Sequence, residues 1–381
     1  MEPTMNAALD GISKSGIRVF TQMAKQEPGC LFLTLGEPDF DTPAPIREAA
    51  KASLDAGDTH YPENNGQPFL RQTIARFEQE KHGLSYAPDE IIVTVGATEA
   101  LFCALFGILN PGDEVIVPTP AFGLYEAIIK LCRGVCVPLD TRADGFQIRP
   151  AALQAALSPR TKAIILTSPN NPTGCIYDHE SLTAVYAAAK EHPIFVLCDE
   201  VYRDLIYTDA FESFHQFSDL RSRIIEVQSF SKPYAMTGWR VGYLMADRPV
   251  KEQLEKIHQY NVVSISSFVQ RACAAALAYD ISSEREVYRR RRDYVCTRLD
   301  SMGLPYFKPQ GAFYVFPSIA AFGMDSLSFC SRMVKEGKLA CTPGSCFGAE
   351  GFLRISYCYS DDVLREGMDR METFVQMLRS C

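Results

Sequence analysis

Between residues 90 and 245, short runs of consecutive apolar residues alternate with longer stretches whose apolar residues recur every three or four positions. The runs at 91–95, 114–117, 135–137, 163–166, 194–197 and 224–227 are rich in Ile and Val on adjacent positions. Consecutive β-branched residues predict strands buried on both faces, where neighbouring side chains point to opposite sides and both sides are apolar. The stretches at 97–109, 121–131 and 178–190 carry polar residues opposite an apolar stripe and predict amphipathic helices. Asn110-Pro111-Gly112-Asp113 stops the first of them. This alternation predicts an α/β fold with a mostly parallel sheet sandwiched by helices. The apolar segment 241–245 follows its neighbour too closely for a helical crossover, so an antiparallel strand is expected there.

The C-terminal part has a different rhythm. A helical stretch over 283–302 is followed by strand-like runs at 312–316 and 353–357, with amphipathic helices between and after them. Runs of strand and helix in that order predict a smaller α+β unit.

Composition narrows the function classes. The chain has 381 residues, 47% of them apolar and 22% charged, which is globular rather than disordered. A net charge of −8 argues against a basic nucleic-acid-binding face. The one basic run, Arg289 to Arg292, follows Glu284 and Glu286 and reads as a solvated helix face or a salt-bridge strip. No stretch reaches the roughly 18 apolar residues of a membrane span, and the N-terminus lacks the basic and apolar regions of a secretory signal. Thirteen cysteines, from Cys30 to Cys381, include no CxxC and no histidine at ligand spacing. That pattern predicts reduced, mostly buried thiols in a reducing cytoplasm and no metal site.

Open α/β sheets bind ligands beyond the carboxyl ends of their strands, so the residues just after each run carry the chemistry. Gly96-Ala97-Thr98-Glu99-Ala100 leaves a strand and opens a helix, a place where backbone N–H groups and a hydroxyl meet an anion; it is also an ordinary helix cap. Ser168-Pro169-Asn170-Asn171-Pro172-Thr173-Gly174 reads either as a surface turn or as a turn aiming an amide at a ligand. Cys198-Asp199-Glu200-Val201-Tyr202 ends a very apolar run with two carboxylates, and a carboxylate there requires a cation from the protein or from a ligand. Ser229-Phe230-Ser231-Lys232, running on to Trp239-Arg240, places a lysine among hydroxyls and an arginine. Burial and neighbouring cations lower a lysine pKa enough for its amine to attack an aldehyde.

In order, GATEAL, SPNNPTG, CDEVY, SFSKPYAMTGWRVGY and LRISY resemble the class I/II aminotransferases, pyridoxal-phosphate enzymes of fold type I. The likeness runs from Leu35-Gly36-Glu37-Pro38-Asp39 through Tyr61 to Arg354. It implies a large cofactor-binding domain over 46–282 and a small domain built from 1–45 and 283–381. It implies a Schiff base between Lys232 and the cofactor aldehyde, and a phosphate held by Ala97, Thr98, Ser229, Ser231 and Arg240. Tyr61 is implied to join that phosphate site across the interface of a homodimer. Asp199 is implied to pair with the pyridinium nitrogen, Asn171 and Tyr202 to face the ring's phenolic oxygen, and Phe122 to stack on the ring. Arg354, with Gly36 and Asn171, is implied to hold the substrate α-carboxylate.

The activity implied is ping-pong transfer of an amino group from an amino acid to a 2-oxo acid, with Lys232, Asp199 and Tyr202 as the catalytic set. The same cofactor residues occur in relatives that cleave C–S bonds, close a cyclopropane ring or oxidise an amino acid. Some dicarboxylate-specific relatives bind the second carboxylate with a lysine where Thr98 stands or with an arginine from the partner subunit, and with no lysine at 98 the expected donor leans towards an apolar, aromatic or broad-range set of amino acids. A ligand sensor fused to a DNA-binding module is disfavoured, because the motifs begin by Gly36 and the chain is acidic.

Overall fold

The computed structural model describes residues 3–209 and 211–380; Met1, Glu2, Ala210 and Cys381 lie outside them. Seven strands form the central sheet: β1 (Ile91–Thr94), β2 (Glu114–Thr119), β3 (Val135–Asp140), β4 (Thr161–Thr167), β5 (Phe195–Asp199), β6 (Ile224–Ser229) and β7 (Gly242–Ala246). Their spatial order is β1-β7-β6-β5-β4-β2-β3. All neighbours run parallel except β7, which is antiparallel to both β1 and β6, as its short connection required.

Alternation along the strands divides the core in two. Ile92, Val115, Ile165, Leu197, Ile225 and Leu244 meet Leu101 and Leu105 of the helix Gly96–Ile108 on one face. Ile116, Ile164, Leu166 and Val196 meet Leu182 and Val185 of the helix His179–Glu191 on the other. Burying each such side chain contributes about 1.5–3 kcal/mol, so apolar packing on both faces fixes the strands against the covering helices. The exception is β3. It forms the sheet edge, with Val135 exposed, and so is not buried on both faces as its composition predicted.

Two other expectations change at their ends. The helix predicted from residue 121 is Leu124–Leu131, because the Ala121 amide donates to the Phe347 carbonyl at 3.1 Å and leaves residues 121–123 outside the helix. The strand predicted over 312–316 is only Tyr314–Val315, since Ala312 adopts φ 59° and turns the chain.

The C-terminal part adds a small antiparallel sheet, Thr342–Pro343, Leu353–Ser356 and Tyr314–Val315, in that order. The N-terminal segment joins it through Leu31–Phe32, which pairs in parallel with Leu339–Ala340. The helix Ser282–Ser301 carries the basic run, and half of it points inwards. Arg289 is exposed and pairs with Glu286, whereas Arg291 is buried against Asp39 at 2.7 Å and Asp361 at 2.9 Å, and Arg292 donates to the Pro309 carbonyl. The run is therefore a salt-bridge strip that ties the Gly36–Asp39 loop to this helix. The described cysteines are all free thiols, most of them buried, and no described helix is long and apolar enough to cross a membrane.

Behind β5 lies a buried ionic group. Arg203 bonds Glu78 and stands 3.7 Å from both Glu200 and Glu226, and all four side chains are buried. Ser213 donates to Glu200 and Gln228 to Glu226, each at 2.7 Å. Burial, and then the neighbouring Glu200 charge, pushes the Glu226 carboxyl well above its ordinary range, while the Arg203 charge opposes that rise.

Candidate active site

The carboxyl ends of β4, β5 and β6 open into a cavity of about 300 Å³, completed by the helix Gly96–Ile108 and by residues of the N- and C-terminal parts. Its walls include Gly36, Ala97, Thr98, Phe122, Asn171 and Asp199. Tyr202, Ser229, Ser231, Lys232, Arg240 and Arg354 also line it. Of the residues singled out from the sequence, Tyr61 alone stands apart: it is 91% exposed and does not line this cavity.

One end of the cavity is built for an anion. Gly96 has φ 72°, a conformation that favours glycine, and a Cβ there would lie 2.8 Å from Arg240 Nη2, so the missing side chain leaves the guanidinium its place at the helix N-terminus. Thr98, Ser229 and Ser231 add hydroxyls, and the Ser231 amide donates to Ser229 Oγ at 3.1 Å. A helix N-terminus, an arginine fork and hydroxyls together suit a doubly charged oxyanion.

Deeper in, Asp199 is buried at the end of β5 with no cation in salt-bridge range among the described residues. Tyr125 donates to its Oδ2 at 2.7 Å and itself accepts from Thr167 Oγ1 at 2.8 Å. Burial pushes the Asp199 carboxyl up to about 6, while the bond from Tyr125 holds it down. Its charge is thus left for a ligand cation to balance.

Lys232 Nζ donates to the Gly36 carbonyl at 2.7 Å. Burial, helped by the Arg354 and Arg240 charges, lowers its pKa from 10.5 to about 8. Beside it the Tyr202 and Tyr314 hydroxyls share a 2.8 Å hydrogen bond. Gly36 has no room for a side chain, because a Cβ there would stand 1.7 Å from the Tyr314 oxygen.

The SPNNPTG segment is buried, not a surface turn, and its two asparagines divide the work. Asn170 closes the turn by accepting from Thr173 Oγ1 at 3.0 Å, while Asn171 accepts from Arg354 Nη1 at 2.9 Å. Arg354 is 2% exposed, donates also to the Thr34 carbonyl, and lies between the Tyr314 ring at 4.4 Å and the Phe347 ring at 4.8 Å. Its Nε has no partner and no carboxylate neutralises it among the described residues. A buried guanidinium of this kind requires an anionic ligand. Phe122 lines the cavity edge-on to Tyr125 and also packs against the core.

Tyr125, Thr167 and Tyr314 escaped the sequence reading because each sits inside an apolar run, where an aromatic or threonine reads as packing. The only hint was that Tyr125 follows Phe122 by three residues.

A profile of the aminotransferase class I and II family matches residues 28–371. The chain is 42% identical over 381 residues to a probable N-acetyl-LL-diaminopimelate aminotransferase of Bacillus subtilis, covering 98% of this chain and 96% of that protein. It is 40% identical to an aspartate aminotransferase of Pyrococcus abyssi, covering 97% of each. Among solved structures, the aspartate aminotransferase of Thermus thermophilus with maleate superposes with a TM-score of 0.93 at 33% identity, over 98% of this chain and 100% of that one.

Proposed function

As a member of the class I and II aminotransferases, the chain is a pyridoxal-phosphate enzyme that moves an amino group from an amino acid to a 2-oxo acid, and we propose that Lys232 carries the cofactor and the proton of that reaction. The residues present fit the cofactor: a phosphate-shaped anion site, a buried carboxylate without a cation and a depressed lysine pKa occur in one cavity. Ala97, Thr98, Ser229, Ser231 and Arg240 would hold the phosphate. Asp199 would face the ring nitrogen, Asn171 and Tyr202 the phenolic oxygen, and Phe122 the ring face. When bound, the cofactor supplies an electron sink for the charge left at the substrate α-carbon.

The chain's own residues do the rest. Arg354 receives the α-carboxylate, and the Gly36 backbone and Asn171 border the same place, which turns the α-carbon towards Lys232. An amine whose pKa is about 8 is partly unprotonated near neutrality, so Lys232 takes the α-proton and holds it beside the Tyr202–Tyr314 pair. Tyr125 fixes the Asp199 carboxylate from behind. Because one cavity serves donor and acceptor in turn, the kinetics are ping-pong.

We read residues 46–282 as the cofactor-binding domain and 1–45 with 283–381 as the second one. We also read the assembly as a homodimer: an aromatic ring as exposed as Tyr61, in the segment preceding β1, suits delivery to a partner's phosphate site. Free, mostly buried thiols support a cytoplasmic location.

The convergence of Lys232, Asp199 and an unneutralised Arg354 on one cavity carries the residue assignment. It is tested by incubating the holoenzyme and its Lys232→Ala variant with amino acids plus 2-oxoglutarate, pyruvate or oxaloacetate. Oxo acid should form only when an acceptor is present, and the variant should lose on the order of 10⁴-fold or more in turnover. A folded, active K232A enzyme would overturn the assignment, as would ammonia or thiol release without an acceptor.

A further inference from the structure

We propose that Arg18 selects the substrate side chain, by binding the second carboxylate of a dicarboxylic amino acid or of its 2-oxo counterpart. The inference rests on the reaction assigned above and names the substrate class of the same cavity.

Four basic side chains line the cavity: Arg18, Lys232, Arg240 and Arg354. Three are engaged. Lys232 donates to the Gly36 carbonyl, Arg240 to the Thr237 carbonyl at 3.0 Å, and Arg354 to Asn171 and Thr34. These three also have assigned partners in the aldehyde, the phosphate and the α-carboxylate. Arg18 makes no ion pair or hydrogen bond among the described residues, and it is exposed at the rim. Among the described residues the one carboxylate lining the cavity, Asp199, is buried and held by Tyr125, so no described wall residue competes for the Arg18 charge.

The helix that presents Arg18 is anchored by its neighbours. Arg18 lies in the first turn of the helix Gly16–Ala24, between Ile17 and Phe20, which are both buried. Ile17 packs with Phe316 and Phe347, and Phe347 in turn lies 4.8 Å from the Arg354 guanidinium. The helix that presents Arg18 is therefore packed on the wall that presents the α-carboxylate arginine. Ser15, at the start of this helix, lines the cavity too, and its hydroxyl makes no capping bond. The lining of the same cavity also includes the apolar side chains Ile17, Leu35 and Leu124. An aliphatic stem with a carboxylate at each end suits a cavity whose described lining holds Arg354, apolar side chains and the unpaired guanidinium of Arg18. A guanidinium meets a carboxylate with charge-assisted, bidentate hydrogen bonds, so the second carboxylate gains an interaction that an apolar side chain does not. The absence of a lysine at position 98 thus does not exclude dicarboxylic substrates, since the cation arrives from the N-terminal helix.

The test compares wild type, R18A and R18K. One reading is the ratio of kcat/KM for glutamate to that for phenylalanine; the other is the calorimetric dissociation constant of glutarate, which has two carboxylates and no group to react, against that of butyrate. R18A should lower the glutamate-to-phenylalanine ratio by about tenfold to a hundredfold and weaken glutarate relative to butyrate by a similar factor. R18K should recover part of both. A loss shared equally by both substrates, a loss confined to phenylalanine, or unchanged ratios would overturn the proposal. If no amino acid is transaminated at all, the reaction assignment fails, and the glutarate-to-butyrate comparison still decides the role of Arg18.

Discussion

The floor and the rim of the cavity are made in different ways. On the floor, Asp199 ends a strand and Asn171 and Lys232 follow strand ends of a sheet packed on both faces, and the Asp199 carboxylate is held by a further buried group. At the rim, Ser15, Arg18 and Leu35 come from the N-terminal segment, are exposed, and none of the three has its side chain tied down. The floor provides fixed chemistry common to every substrate, and the rim provides discrimination among them. A change in the floor should therefore alter all substrates alike, whereas a change at the rim should alter their ratio.

Arg354 gives the largest effect that can break this division. Arg354→Lys keeps the charge but loses the two-pronged hydrogen bonding and the stacking on Tyr314, so kcat/KM should fall on the order of 10²–10⁴-fold. The fall should be equal for glutamate and phenylalanine; a substrate-selective loss would move Arg354 out of the floor. Tyr125→Phe is smaller. Without its hydroxyl the Asp199 carboxylate loses a buried donor, which should weaken cofactor retention by about tenfold, measured by dialysis and fluorescence, with the glutamate-to-phenylalanine ratio unchanged.

The smallest expected effect sharpens the electrostatics. In cofactor-free protein the Lys232 amine titrates near 8 against an ordinary 10.5. Between those values the unfolded chain holds a proton that the folded chain has released, so stability rises with pH across the window and levels off above it. The thermal midpoint of the apo-protein relative to that of Lys232→Met should rise between pH 8 and 10. A pH-independent difference between the two would show that the amine is not depressed.

Sequence reasoning served the floor better than the rim for the same physical reason. Doubly buried strands leave unbroken apolar runs, and the polar residues that interrupt them stand out: Asp199 after 194–197 and Lys232 after 224–227 are conspicuous. Tyr125 was invisible because a phenol inside an apolar helix differs from a packing residue only by its oxygen. Arg18 was invisible because its significance comes from a tertiary approach between the chain's two ends, made through the pairing of Leu31–Phe32 with Leu339–Ala340. The edge position of β3 was equally hidden, since strand order is not written in local composition.

The buried group behind β5 has a mechanical consequence. Glu200 directly follows Asp199, and Arg203 clamps it, through shared charge, to Glu78 before the sheet and to Glu226 on the next strand. Tilting the Asp199 backbone would tear these charges apart where no bulk solvent can replace the lost attraction. The Asp199 wall of the cavity is thus an anvil, braced from behind by buried charge, in contrast to the exposed, unpaired side chains of the N-terminal side.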